Sequence, residues 1–133
     1  MADQAPASLL RKIDCVMVRV PDLDTGARFY EQACGLRRVW SDASSVGLGM
    51  SDTDAEIVVH TMDLPPGSGV HYLVDDVVAA VAELVGCGCR LIEAPFEIPV
   101  GMCAVLADPF GNALCVLDLS NGIRRDNDTS RTD

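Results

Sequence analysis

The sequence predicts an α+β fold, two βαβββ modules in tandem that pair into a curved, partly open mixed barrel around a cavity. Three observations predict it. First, KIDCVMVRV at 12–20 and GVHYLV at 69–74 alternate residue classes with the period of two that strands show. Second, each is followed at once by an aspartate-led helical stretch running into glycine, TGARFYEQACG and DVVAAVAELVGCG. Third, three short strand-like runs follow each helix. The order also repeats in residues: VPDL at 20–23 matches VDDV at 74–77, and ACGLRRV at 33–39 matches GCGCRLI at 86–92. This reads as internal duplication.

In the first module, Val16, Val18 and Val20 alternate with Cys15, Met17 and Arg19, and Pro21 ends the strand. Asp22 and Asp24 offer N-cap carboxylates, and Gly35 is placed to close the helix. RRVW, SVGLGM and AEIVVHT are then strands between Ser/Asp-rich turns. DLPPGS at 63–68 is a linker. In the second module, Asp75 and Asp76 can cap a helix whose Val77, Ala80, Val81 and Leu84 recur at helical spacing. CRLIEAPFEI, GMCAVLAD and NALCVLDL follow as strands, with Pro95 and Pro99 marking a kinked or edge strand. DPFGN at 108–112 is a turn. A single domain is expected over 12–120, with modules 12–62 and 68–120. Residues 1–11 are expected as an N-terminal tail and 121–133 as a disordered C-terminal tail.

The valines are the better core set on the first strand. Cys15, Met17 and Arg19 are therefore expected to face the cavity. In the second module Val70, Tyr72 and Val74 take the core, and Gly69, His71 and Leu73 face inward. Glu56, Val58 and His60 share one face of their strand.

Composition narrows the function classes. Apolar residues make up 49% and charged residues 23% of the 133, which excludes a disordered chain. A net charge of −10 repels phosphate backbones and anionic membranes and attracts cationic ligands. No nucleic-acid or membrane partner is expected. No basic stretch followed by an apolar run opens the chain, and a cytoplasmic location is expected. The six cysteines then read as free thiols, and Cys87-Gly88-Cys89 lacks the spacing of a zinc knuckle.

KIDCVMVRVPDLDTGARFYEQACGL, VHYLVDDVVAAVAELVGCG and ADPFGNALCVLDL together resemble the vicinal oxygen chelate superfamily, which includes glyoxalase I, bleomycin-binding proteins, fosfomycin-resistance proteins and extradiol dioxygenases. The resemblance covers 12–120 and implies the glyoxalase-like fold. In metal-dependent relatives a His opens the first strand of each module and a carboxylate sits on the last. Those positions fall here on Cys15, Gly69, Cys115 and either Val58 or Glu56. The expectation is therefore a site with no metal and no other cofactor. The alternative is a divalent metal such as zinc held by Cys15, His71, Cys115 and Glu56, since thiolate and imidazole suit that ion. The resemblance also implies a homodimer.

Two function classes follow. The first is a small-molecule binder without metal. Its ligand-binding candidates are Cys15, Met17, Arg19, Trp40, Glu56, Val58, His60, Gly69, His71, Phe96, Met102 and Cys115. Arg19 can pair with Glu56 or with a ligand carboxylate, and Trp40 and Phe96 can stack on a planar ligand. The second is an enzyme of the same superfamily, a lyase, isomerase or dioxygenase acting on a small oxygenated substrate. It would use an unusual metal site or His71 as its catalytic base.

Overall fold

In a computed structural model, which describes residues 7–65 and 67–122, the chain forms one eight-stranded mixed sheet with two helices. The elements run β1 (Lys12–Arg19), α1 (Leu23–Gln32), β2 (Arg37–Ser41), β3 (Ser45–Met50), β4 (Thr53–His60), β5 (Val70–Leu73), α2 (Val77–Gly86), β6 (Arg90–Ile98), β7 (Gly101–Ala107) and β8 (Ala113–Leu117). The sheet order is β2-β3-β4-β1-β5-β8-β7-β6, so it stays open, with β2 and β6 as edges. Each module contributes four adjacent strands, and the antiparallel pair β1·β5 joins them. The duplication read from the sequence is thus the plan of the sheet. Val16 faces Val70 across β1·β5. That register makes Cys15 the counterpart of Gly69, Met17 that of His71, and Val58 that of Cys115.

The helices cover one face. Asp22 caps α1 by accepting from the Thr25 N–H at 3.0 Å, and Asp76 caps α2 by accepting from Val78 and Ala79. α1 lays Leu23, Ala27 and Tyr30 against Val46, Leu48 and Val59. α2 lays Val77, Ala80, Val81 and Leu84 against Val74, Ala104, Leu106 and Val116. α2 ends in a Schellman turn: Cys89 N–H donates to Leu84 C=O at 3.0 Å and Gly88 N–H to Val85 C=O at 3.1 Å. Gly88 takes φ 108°, which this turn requires. Among the described residues no helix is long and apolar enough to cross a membrane.

Part of the stretch 1–11 is tied down. Leu9 and Leu10 pack on the α2 cluster, and Arg11 donates its backbone N–H to Leu73 C=O at 2.8 Å. Apolar burial anchors these residues without any periodicity to announce them. Residues 1–6 and 123–133, most of both expected tails, lie outside the described residues.

Buried Asp118, just past β8, ties the second module together. Its carboxylate accepts from the N–H groups of Val77 (2.9 Å), Met102 (2.9 Å) and Ser120 (3.1 Å) and from the Ser120 hydroxyl (2.8 Å). Burial alone would raise its pKa. The bonds from Val77, Met102 and Ser120 outweigh that and hold it below the usual aspartate value.

Candidate functional site

The sheet face turned away from the helices encloses a cavity of about 340 Å³. Side-chain alternation assigns its walls. On β3, Val46 and Leu48 pack under α1, while Ser45 lines the cavity. On β4, Val59 packs under the helix, while Glu56 and Val58 line the cavity. On β7 and β8, Ala104 and Val116 serve the α2 core, while Cys103 and Leu117 line the cavity.

Two bulges re-aim side chains that simple alternation misplaces. β1 carries one extra residue, Asp14, against Tyr72 and His71 of β5. Asp14 and Cys15 consequently both reach the cavity. β2 carries one extra residue, Val39, against Leu48 and Gly47 of β3. Beyond it Trp40 lies directly over Gly47, where an added Cβ would stand 2.0 Å from the indole Nε1. Only glycine permits this approach. Trp40 is 5% exposed and donates its indole N–H to Glu56 Oε1 at 2.7 Å. Glu56 also borders a second groove, of about 470 Å³, that holds Arg37, Arg38, Asp52 and Asp54. The Trp40–Glu56 pair therefore stands between the two hollows.

Six of the sequence candidates line the inner cavity: Cys15, Met17, Trp40, Glu56, Val58 and His71. Six do not. Arg19, expected inward against Glu56, turns to solvent instead. Its Nε donates to Met62 C=O at 3.0 Å and its guanidinium pairs with Asp63 at 3.0 Å. Hydration at the strand end explains the difference, since inward placement would have desolvated the charge. His60 is buried at the end of β4, and its Nδ1 accepts from the Met62 N–H at 3.1 Å. Gly69 precedes β5 and meets only the Met17 backbone. Phe96 is 41% exposed on edge strand β6. Met102 packs on the α2 side of the sheet, contrary to its expected groove position. Cys115 is fully buried beside His71 in the β5·β8 register.

Several lining residues carried no usable signal. Ile98 ends β6 and Pro99 follows it in the β6–β7 turn, while Met62 and Leu64 lie between β4 and β5. Asp42 and Ser44 come from the β2–β3 turn. Cys103 and Leu117 are different: alternation with Ala104 and Val116 marks their face, and that signal was readable.

His71 is 8% exposed, and its Nδ1 has no hydrogen-bond partner among the described residues. Burial, with His60 adding a little, pulls its pKa down to about 4. It is neutral at pH 7. Burial likewise lowers the pKa of His60, helped by Arg19 and opposed by the Met62 N–H. Burial pushes the Cys103 thiol up to about 12 and raises that of Cys115, where nearby Ser68 offsets part of the shift. The Ser68 hydroxyl makes no full hydrogen bond. Burial thus disfavours the thiolate form of both cysteines.

Glu56, Cys15, His71 and Cys115 lie on one register row across β4, β1, β5 and β8. Among the described residues no three His, Cys, Asp or Glu side chains are grouped to hold a metal. Trp40 already occupies one Glu56 oxygen. This donor set does not fit the metal centre of the superfamily's metal-dependent members.

Two βαβββ modules joined at their first strands around an internal cavity define the vicinal oxygen chelate class. The family described as a glyoxalase-like domain matches residues 15–117, and the chain belongs to it. Among solved structures the chain is similar to methylmalonyl-CoA epimerase from Mycobacterium tuberculosis, with TM-score 0.72, 18% identity, and coverage of 88% of this chain and 93% of that one. It is similar to a variant of Streptomyces coelicolor methylmalonyl-CoA epimerase in complex with 2-nitronate-propionyl-CoA, at TM-score 0.68, 19% identity, 85% and 99% coverage. It also resembles a protein described as NAD-dependent benzaldehyde dehydrogenase from Legionella pneumophila, at TM-score 0.65, 17% identity, 80% and 98% coverage. At these identities the likeness is one of fold. No curated protein matches the chain.

Proposed function

We propose that the protein binds a small molecule in the inner cavity and does so without a resident metal. The observation that carries this reading is the lining of the cavity, which combines apolar walls with a few polar side chains, Glu56 and His71 among them, the composition of a small-molecule site. Met17, Val58, Leu64, Ile98 and Leu117 supply the apolar wall. The cavity volume suits a compact ligand at the small end of the range for such sites.

The competing reading is an enzyme acting on a small oxygenated substrate, with His71 as base. A pKa near 4 makes that imidazole a weak base at pH 7 and favours a binding role. Native mass spectrometry of protein purified without chelator tests the proposal. The expected result is metal-free protein carrying, or taking up, an organic ligand, with His71→Leu weakening the uptake. Stoichiometric zinc, iron, manganese or nickel lost in His71→Leu would overturn it. A homodimer, and a cytoplasmic location without membrane or nucleic-acid partners, complete the proposal. Light scattering at micromolar concentration checks the dimer against the 14.2 kDa chain mass.

A further inference from the structure

We infer that the ligand is a flat aromatic ring system of one or two rings, seated on the Trp40 indole and against the sulfur-bearing side chains of Cys15, Met17, Met62 and Cys103; this rests on the binding reading above and names its class of ligand.

Sulfur is concentrated in the inner cavity. Cys15 and Met17 of β1, Met62 after β4 and Cys103 of β7 all line it. Cys15 Sγ and Met17 Sδ lie 3.8 Å apart. Cys15 and Val58 pack with Trp40, and Met17 packs against them, so thiol, thioether and indole form one continuous surface. Sulfur is soft and polarisable. Against the ring of an aromatic ligand each contact gains about 0.3–1.5 kcal/mol, which a saturated ring of similar size does not return. Unbranched methionine also adapts its shape to the ring it meets.

The indole presents a face rather than an edge. Val46 and Leu48 pack under α1, so Gly47 between them belongs to the cavity face of β3, where it lies opposite Val58 in register. A Cβ built on Gly47 would meet Nε1, Cε2 and Cδ1 of Trp40, all within 2.6 Å. An approach in the ring plane could not bring all three so near. The ring therefore lies flat over the strand, and its other face is turned from the sheet toward the hollow it lines. The bond from the indole N–H to Glu56 Oε1, 2.7 Å long, fixes that orientation. A second aromatic ring packs on such a surface in offset-stacked or edge-on geometry. The cavity, about 340 Å³, leaves room for one or two rings.

The test compares benzyl alcohol with cyclohexylmethanol, which share one carbon skeleton and one hydroxyl. Binding to the full-length protein is measured by calorimetry and by the NMR signals of isotope-labelled methionine methyl groups. The saturated compound has the larger apolar surface, so burial alone favours it. Benzyl alcohol is instead expected to bind at least ~5-fold more tightly. Its ring current should shift the Met17 and Met62 methyl signals and leave those of Met50, in the outer groove, and Met102, on the α2 side, in place. Met17→Leu and Met62→Leu keep the apolar volume and assign the two signals. Together they should weaken benzyl alcohol by roughly 3-fold and leave cyclohexylmethanol unchanged. Cyclohexylmethanol binding as tightly as benzyl alcohol, or more so, would overturn the aromatic inference and leave the cavity reading intact. A preference untouched in the double variant would overturn the sulfur contribution. Neither heat nor a Met17 or Met62 shift with either compound, up to its solubility limit, would remove both readings.

Discussion

Single residues set the conditions under which the cavity exists. In an unfolded chain the His71 imidazole titrates near 6.5, and in the folded protein near 4. Between those values the unfolded chain binds more protons, so the His71 contribution is complete above about pH 6.5 and is lost as pH falls toward 4. Urea unfolding at pH 7 and pH 5 should show lower stability at pH 5, and His71→Asn should flatten that difference. The lowered pKa of His60 acts in the same direction and leaves a residual slope. Gly47 is the second sensitive position. Gly47→Ala places a methyl inside the van der Waals envelope of Trp40, so the indole must leave Glu56. A red-shifted Trp40 emission and a stability loss of about 1–3 kcal/mol are expected, measured by fluorescence and chemical denaturation. Neither effect is legible in the sequence, where Gly47 is one glycine of a strand and Trp40 one aromatic near a turn. The contact exists because Val39 bulges from the ladder.

At the scale of elements the sequence is more informative. The Asp22 and Asp76 caps and the Val77–Leu84 stripe each follow from local physics, and the structure has each in place. Bulges are different. Whether Asp14 is looped out depends on the partner strand β5, far along the chain, and no local pattern encodes it. Half the candidate site was therefore within reach of strand parity, and the rest came from turns and the linker. Helix α2 offers a direct test. Asp76→Ala removes an N-cap and should lower stability by about 1 kcal/mol. Asp118→Asn should lower it by roughly 1.5–3 kcal/mol, because the same carboxylate serves α2, β7 and the segment after β8. With its folded pKa depressed, the Asp118 contribution is present above the ordinary aspartate value and fades as pH drops through the folded one. Thermal melts across that acid range check both the size and the direction.

For the whole molecule, the acidic surface, the open sheet and the enclosed cavity form one arrangement. A net charge of −10 opposes association through the two sheet edges, and edge strand β6 carries two irregularities in register that discourage pairing with other chains. The helices spend their apolar stripes on one face and leave the other free to line a hollow. The family assignment accounts for the architecture, while the chemistry rests on residues this chain places there. Function and fold are thus separable here: the scaffold is that of the family, while the cavity lining is this chain's own.

The meeting of the halves at a lone ladder centred on Val16 and Val70 has a practical corollary. A protease cut between residues 63 and 68 would sever no strand and no helix. The two resulting peptides should stay associated under native conditions, and, mixed after separate synthesis, should rebuild the Trp40 signal through edge-to-edge zippering. Such a split pair would make the molecule a two-component sensor, assembled only when both partners are present.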